Sequence, residues 1–375
     1  MNLKDPLEYT ENDLKALSLE ELNELKLKTI DLVDKYNTEQ LTKKVQINGL
    51  YGATGNQYFS LYNSDYASAI TSNGRIFIQQ TGRMLVKRLN QLIPWDKDYW
   101  LYSDSDSVYY TIEPFVNKYL EKHPNADTQE LTDFCLEVSD KIIQPVIDNS
   151  IKTIAERFNV QDPSRMGAKV EVVCDAMVNC QKKKYYARIR DAEGVRFDPN
   201  DPHIKIMGLE LKKSTTPKWV KDTITDAIPI LFDGSEQELK DWIKSIKNSY
   251  LKAPIWDIAQ IGSSSSLDFK LTEKGIPFGA RIAIIYNQYI KKNNLEASHN
   301  YIQAREKFRF LRLVKTNPFG TTEIAFKDKT FVEKFLKPYI DYDSMFEKTF
   351  LTALSLMCEC MGYDVFEKVK ALDEW

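Results

Sequence analysis

The sequence has too little histidine to build a mechanism on. Only His123, His203 and His299 occur in 375 residues, each beside polar or proline neighbours, which argues against imidazole chemistry at the centre of its function. The five cysteines, Cys135, Cys174, Cys180, Cys358 and Cys360, show no paired metal-ligand spacing, and the one close pair has no nearby histidine; they read as reduced thiols packed in a cytosolic protein. No apolar run approaches the ~20 residues that span a bilayer and no signal peptide opens the chain, so the expectation is a soluble protein of the cytoplasm that binds no membrane. Internal repeats of roughly 20 to 50 residues are absent too, and Gly262-Ser263-Ser264-Ser265-Ser266 is short enough for a loop. A Walker-type phosphate loop is missing, because Gly52-Ala53-Thr54-Gly55-Asn56 lacks the Gly-Lys-Ser/Thr ending. Nor is there a basic surplus: the net charge is −3.

What is present is a normal globular balance, 43% hydrophobic and 28% charged, over a length that suits two or three domains. Positive charge is local rather than general. Lys182, Lys183, Lys184, Arg188 and Arg190 fall within nine residues, Lys205, Lys212, Lys213 and Lys218 follow, and acidic stretches at 11–13 and 127–130 offset them. Nucleic-acid binding stays open on that distribution.

The most informative stretch is Tyr102-Ser103-Asp104-Ser105-Asp106-Ser107, set between the aromatic runs Trp100-Leu101-Tyr102 and Val108-Tyr109-Tyr110. Both runs read as short strands, giving a hairpin with acids at its tip. Two hard anionic oxygens on a stiff scaffold suit Mg²⁺, which keeps room for water and substrate phosphates; taken alone, the hexapeptide also fits a solvated Ser/Asp turn. Upstream, Lys44, Asn48 and Tyr51 stand at i, i+4 and i+7, one face of a helix. A cation, an amide and a ring in line can hold a triphosphate, a sugar edge and a base; an amphipathic helix with a snorkelling lysine is the plainer reading. Downstream, Lys182-Lys183-Lys184-Tyr185 follows a strand-like run at 170–173, where a solvated charge run is again the plainer reading.

In this order and spacing the three segments resemble the B-family DNA polymerases, and the T-even-like phage replicative enzymes in particular. Lys44, Asn48, Tyr51 and Gly52 match a fingers-helix motif, with Gly49 where the family usually has Ser. Tyr102, Asp104, Asp106 and Ser107 match the palm motif Tyr-x-Asp-Thr-Asp-Ser, with Ser105 for Thr. Lys182-Lys183-Lys184-Tyr185 matches the Lys-Lys-Arg-Tyr motif that holds the primer strand. Further echoes are Ala69-Ile70-Thr71, Ile206-Met207-Gly208-Leu209-Glu210, Ser214-Thr215-Thr216-Pro217-Lys218, Ile276-Pro277-Phe278 and Asn317-Pro318-Phe319-Gly320.

The resemblance implies an α+β fold, a partial right-hand polymerase. Residues 1–56 would end the fingers, 57–214 would form the C-terminal part of the palm, and 215–375 a mainly helical thumb. It implies two Mg²⁺ ions at Asp104 and Asp106, nucleotide contacts from Lys44, Asn48 and Tyr51, and primer-template DNA held by Lys182, Lys183, Tyr185 and Lys218. Glu171 falls where the family often has a palm Glu. Deoxynucleoside triphosphates are the implied substrates, and the cytoplasm of a phage-infected bacterium the implied location.

One family element is missing. The metal pair needs a further Asp from an Asp-x-x-Ser-Leu-Tyr-Pro motif ahead of the fingers; Ser60-Leu61-Tyr62 lies after them, has Gln57 three residues earlier and is followed by Asn63. The chain nevertheless opens with Met1, and Ser18 with Glu21 forms a capping-box pattern ahead of Leu22, Leu25, Ile30 and Val33. The expectation is therefore the C-terminal subunit of a split polymerase whose partner, an N-terminal subunit, supplies the third Asp and any exonuclease; a truncated polymerase is the other reading of that start. A catalytically inactive DNA-binding remnant is the alternative function, though it predicts erosion of the acids. A reverse-transcriptase-like enzyme usually carries adjacent Asp residues, which Ser105 separates here. The end of the chain, Leu372-Asp373-Glu374-Trp375, loosely resembles the apolar peptide by which such phage enzymes dock on a sliding clamp; Trp375 packing onto the thumb is the other reading.

Overall fold

The computed structural model describes residues 4–365, which divide into two compact units, 4–114 with 145–168 and 115–144 with 169–365. The expected clamp-docking residues 372–375 lie outside the described residues.

In the first unit, α1 (Glu11–Ala16) leads into the 36-residue α2 (Leu19–Thr54). The start of α2 is fixed as the sequence suggests: the Ser18 side chain accepts from Glu21 N while Glu21 accepts from Ser18 N, so two orphan donors are satisfied reciprocally. Its apolar residues follow no single stripe, and Leu25 is its only buried side chain among the described residues. A tight connection returns the chain to α3 (Ser64–Leu92), whose first turn is capped by the Asn63 side chain accepting from Asp65 N and Tyr66 N. Strands β1 (Trp100–Asp104) and β2 (Ser107–Tyr110) follow as an antiparallel hairpin.

A continuous helix of three segments runs over residues 128–157: α5 (Thr128–Val138), a π-helical turn at Ser139–Ile143, and α6 (Gln144–Arg157), while α4 (Glu113–Leu120) precedes it. Pro145 has no N–H to give the helical ladder, and the register change falls just ahead of it. Ser150 of α6 pairs with Thr81 of α3, hydroxyl to hydroxyl at 2.7 Å in the buried interior of the first unit.

The second unit is built on β3 (Val172–Gln181), β4 (Lys184–Ala192), β5 (Val195–Arg196) and β6 (His203–Met207), with β4 pairing all three others in antiparallel fashion. Arg188 of β4 reaches both Asp175 of β3 at 2.9 Å and Asp233 at 2.5 Å, and Arg190 holds Asp175 at 2.7 Å. Asp233 closes α7 (Lys218–Asp233), so these pairs register the sheet against that helix. The rest is α8 (Glu236–Lys252), α9 (Ile255–Ile258), β7 (Gln260–Ser263), α10 (Phe278–Lys292), β8 (Lys307–Arg312), β9 (Glu323–Phe326), α11 (Lys329–Phe331), α12 (Tyr342–Met345) and α13 (Thr352–Cys360).

The mixed α+β class is as expected, with two differences of detail. The region after residue 215 is not helical alone, since β7, β8 and β9 form a three-stranded antiparallel sheet against α10. Gly262 and Ser263, which read as loop by composition, are strand: Phe308 packs on Gly262 so closely that a Cβ there would sit 2.8 Å from its Cε2.

Candidate active site

Asp104 and Asp106 stand where the sequence puts them. Asp104 ends β1 opposite Ser107, and Ser105 with Asp106 forms a two-residue loop. Ser105 takes φ 52°, a left-handed conformation that costs a non-glycine residue ~1–2 kcal/mol. Such strain persists where surrounding structure enforces it. Here the enforcement is visible: cross-strand rings Tyr102 with Tyr109 and Trp100 with Tyr110 lie 6.3 and 6.1 Å apart, each pair contributing roughly 0.2–1 kcal/mol. Ser105 Oγ donates to Asp104 Oδ1 at 3.2 Å, and Ser107 Oγ donates to the Asp104 carbonyl at 3.2 Å. Asp106 is exposed and Asp104 half-buried.

The hairpin is seated on α3. Trp100 lies on Gly82, where a Cβ would come within 2.1 Å of Cζ3, and the Ser105 carbonyl comes within 3.9 Å of the corresponding point at Gly74. Two glycines eight positions apart thus meet the base and the tip of the hairpin. Tyr110 is held beneath it; burial, with the Asp98 charge second, pushes its phenol well above the usual range.

Lys44, Asn48 and Tyr51 do share one helical stripe of α2, and all three are exposed. Tyr51 opens onto a groove of about 480 Å³ between α2 and α3, walled by Ile47, Leu50, Thr54, Tyr66, Ile70 and Asn73 among others. Asn73 adjoins Gly74, so one stretch of α3 walls the groove and supports the acidic tip. Tyr66 and Asn73 carry no assignment from the sequence, although with Ile70 their i, i+4, i+7 spacing is that of a single helix face.

The basic segment lies in the second unit. Lys182 and Lys183 form the two-residue turn between β3 and β4, with Gln181 opposite Lys184 and Lys183 at φ 64°. Both lysines are exposed, whereas Tyr185 is only 7% exposed and anchors the turn from below. Tyr185 pairs with Met207, bringing Gly208 against the turn: Gly208 has φ 64°, and a Cβ on it would be 2.0 Å from the Lys183 carbonyl oxygen. From there Glu210 accepts at its carbonyl from Thr216 Oγ1 at 2.6 Å. Pro217 then caps α7, and Lys218 is its first residue, exposed. A cation at a helix N-terminus opposes the helix dipole; the position suits a lysine that meets an anion. Glu171 is exposed just ahead of β3, its carbonyl accepting from Glu193 N at 2.8 Å.

Among the described residues no group of three or more His, Cys, Asp or Glu side chains is arranged to hold a metal ion, and no helix is long and apolar enough to cross a membrane. The two hairpin carboxylates still fit Mg²⁺, which takes one or two protein carboxylates and fills its other positions with water and substrate phosphates.

Two family models match the chain: DNA polymerase family B over residues 21–127, and Divergent Family B DNA polymerase over residues 95–240. Both ranges contain the acidic hairpin. The chain is similar to the DNA-directed DNA polymerase of Enterobacteria phage T4, 28% identical over 350 residues, which is 88% of this chain and 38% of that protein. It is also similar to the DNA-directed DNA polymerase of Escherichia phage RB69, 28% identical over 378 aligned positions, 96% of this chain and 41% of that protein. DNA polymerase 1 of Aeropyrum pernix is 24% identical over 225 residues, 58% of this chain and 18% of that protein. The chain thus spans about two fifths of the length of the phage relatives.

Proposed function

Because the chain belongs to DNA polymerase family B, we propose that it is the C-terminal subunit of a template-directed DNA polymerase, active when a separate N-terminal subunit adds the remaining catalytic Asp. The observation that carries this is the seating of the Asp104–Asp106 hairpin on the same helix that walls the Tyr51 groove. Fingers, palm and thumb follow the segments 1–56, 57–214 and 215–375. Exposed apolar side chains on α2, Leu27, Ile30, Leu41 and Val45, support a partner, since a long helix with unburied apolar residues gains stability by docking against another.

Asp104 and Asp106 would hold the two Mg²⁺ ions, which supply charge neutralisation on the triphosphate and a more acidic primer hydroxyl. Lys44 neutralises the triphosphate directly, with a charge-assisted hydrogen bond. Asn48 and Tyr51, on the same stripe toward the groove, meet the nascent base pair. Lys182 and Lys183 hold primer phosphates from a turn that Tyr185 and Gly208 fix in place, and Lys218 takes a further phosphate. Such contacts position the strand without reading its sequence. Catalysis in this scheme is positioning of the primer hydroxyl in line with the α-phosphate. The tail at 372–375 is assigned to a sliding clamp, and the site of action to the infected host's cytoplasm.

Primer extension tests the subunit arrangement. The chain alone is expected to extend a primed template negligibly, and to gain activity when mixed with a protein supplying the N-terminal polymerase portion. Robust Mg²⁺-dependent extension by the chain alone overturns the partner requirement.

A further inference from the structure

All five cysteines are free thiols, and Cys180 and Cys360 are neighbours. Cys180 is the next-to-last residue of β3, Cys360 is the last residue of α13, and the helix packs on that strand. Cys360 is exposed, Cys180 is half-buried and Cys358 is fully buried. Burial, and next the neighbouring Cys360 thiol, push the Cys180 thiol up to about 12. Just beyond Cys360 the chain is tied down. Tyr363 donates its hydroxyl to the Gly234 carbonyl at 3.1 Å, and Asp364 N donates to Glu236 Oε1 at 3.0 Å, so the end of α13 is held over the strand.

We propose that Cys180 and Cys360 are an oxidation site, closing to a disulfide that fastens α13 to the strand leading into the Lys182–Lys183 turn. The co-reactant is a peroxide, a two-electron oxidant. The exposed Cys360 sulfur attacks one peroxide oxygen; the O–O bond breaks, water leaves after proton transfer, and Cys360 becomes a sulfenic acid. Cys180 then attacks that sulfur: the S–S bond forms, the S–O bond breaks, the Cys180 proton joins the departing hydroxide, and a second water leaves. Each sulfur has lost one electron, and the two peroxide oxygens have gained the pair. A thiol reductant reverses the change.

The pair differs from the chain's other neighbouring cysteines. Cys135 of α5 and Cys174 of β3 also lie near each other, but neither of them is exposed. The first step needs an accessible sulfur, which Cys360 has. The closed bridge would loop the chain from β3 through α13, restricting the unfolded ensemble and raising the melting temperature of the oxidised form.

The test uses the full chain, fully reduced, then treated with hydrogen peroxide, alkylated and digested without reductant for mass spectrometry. The expected major product is a Cys180–Cys360 linked peptide, abolished by dithiothreitol and by Cys360→Ser, a change at an exposed position. The oxidised wild type is expected to melt several degrees higher than the reduced form, with no such rise in Cys360→Ser. Over-oxidised Cys360 with Cys180 left as an alkylated thiol, or a Cys135–Cys174 link as the major product, overturns the proposal.

Discussion

Trp100 rests on Gly82 with no room for a methyl group between them, a Cβ at Gly82 falling 2.1 Å from Trp100 Cζ3. That contact fixes where the base of the acidic hairpin sits on α3, and hence where its carboxylates are presented. Gly82→Ala is expected to push Trp100 away at a cost of roughly 1–3 kcal/mol, seen as a melting temperature lower by a few degrees. In the reconstituted polymerase it should also reduce Mg²⁺-dependent extension more than primer-template affinity. Unchanged melting and unchanged extension would show that the hairpin is positioned by other contacts.

A second glycine makes a separable claim. Gly208 backs the Lys183 carbonyl, while Lys183 itself carries charge to the surface. Lys183→Ala should weaken primer-template binding and lower the slope of log affinity against log salt by about one counterion. Gly208→Ala should weaken binding as well but leave that slope unchanged, since it removes geometry and no charge. Equal slopes for both variants would mean that Lys183 does not touch a phosphate.

Under the proposed assignment Lys44 is the residue that separates nucleotide contacts from DNA contacts. A hydrogen bond to a charged group contributes ~1.5–3 kcal/mol, so Lys44→Ala should raise the KM for the incoming nucleotide by about tenfold or more, with primer-template affinity unaltered. If Lys44→Ala and Lys183→Ala gave the same kinetic signature, the two lysines could not serve different substrates.

Much of this local geometry could be read in the sequence because its signals are local. The capping box at Ser18 and Glu21 and the spacing of Lys44, Asn48 and Tyr51 depend on one helix. The hairpin depends on alternating aromatics around a short polar turn. What could not be read is long-range or depends on small residues. Nothing near Gly82 announces that Trp100 will cover it, and nothing near Gly208 that a turn from β3 to β4 will stand against it. The sheet of β7, β8 and β9 escaped for a related reason. Its strands are four to six residues long, and Gly262 belongs to a strand because Phe308, far along the chain, packs on it.

The central claim is that Asp104 and Asp106 are metal ligands of a polymerase. Single-turnover extension by the reconstituted complex, wild type against Asp106→Asn, tests it most directly, with primer-template affinity measured in parallel. A metal ligand acts on the transition state more than on DNA grip, so extension should fall on the order of a thousandfold or more while affinity stays within about twofold. Turnover near that of the wild type would contradict the account and make the hairpin a structural turn.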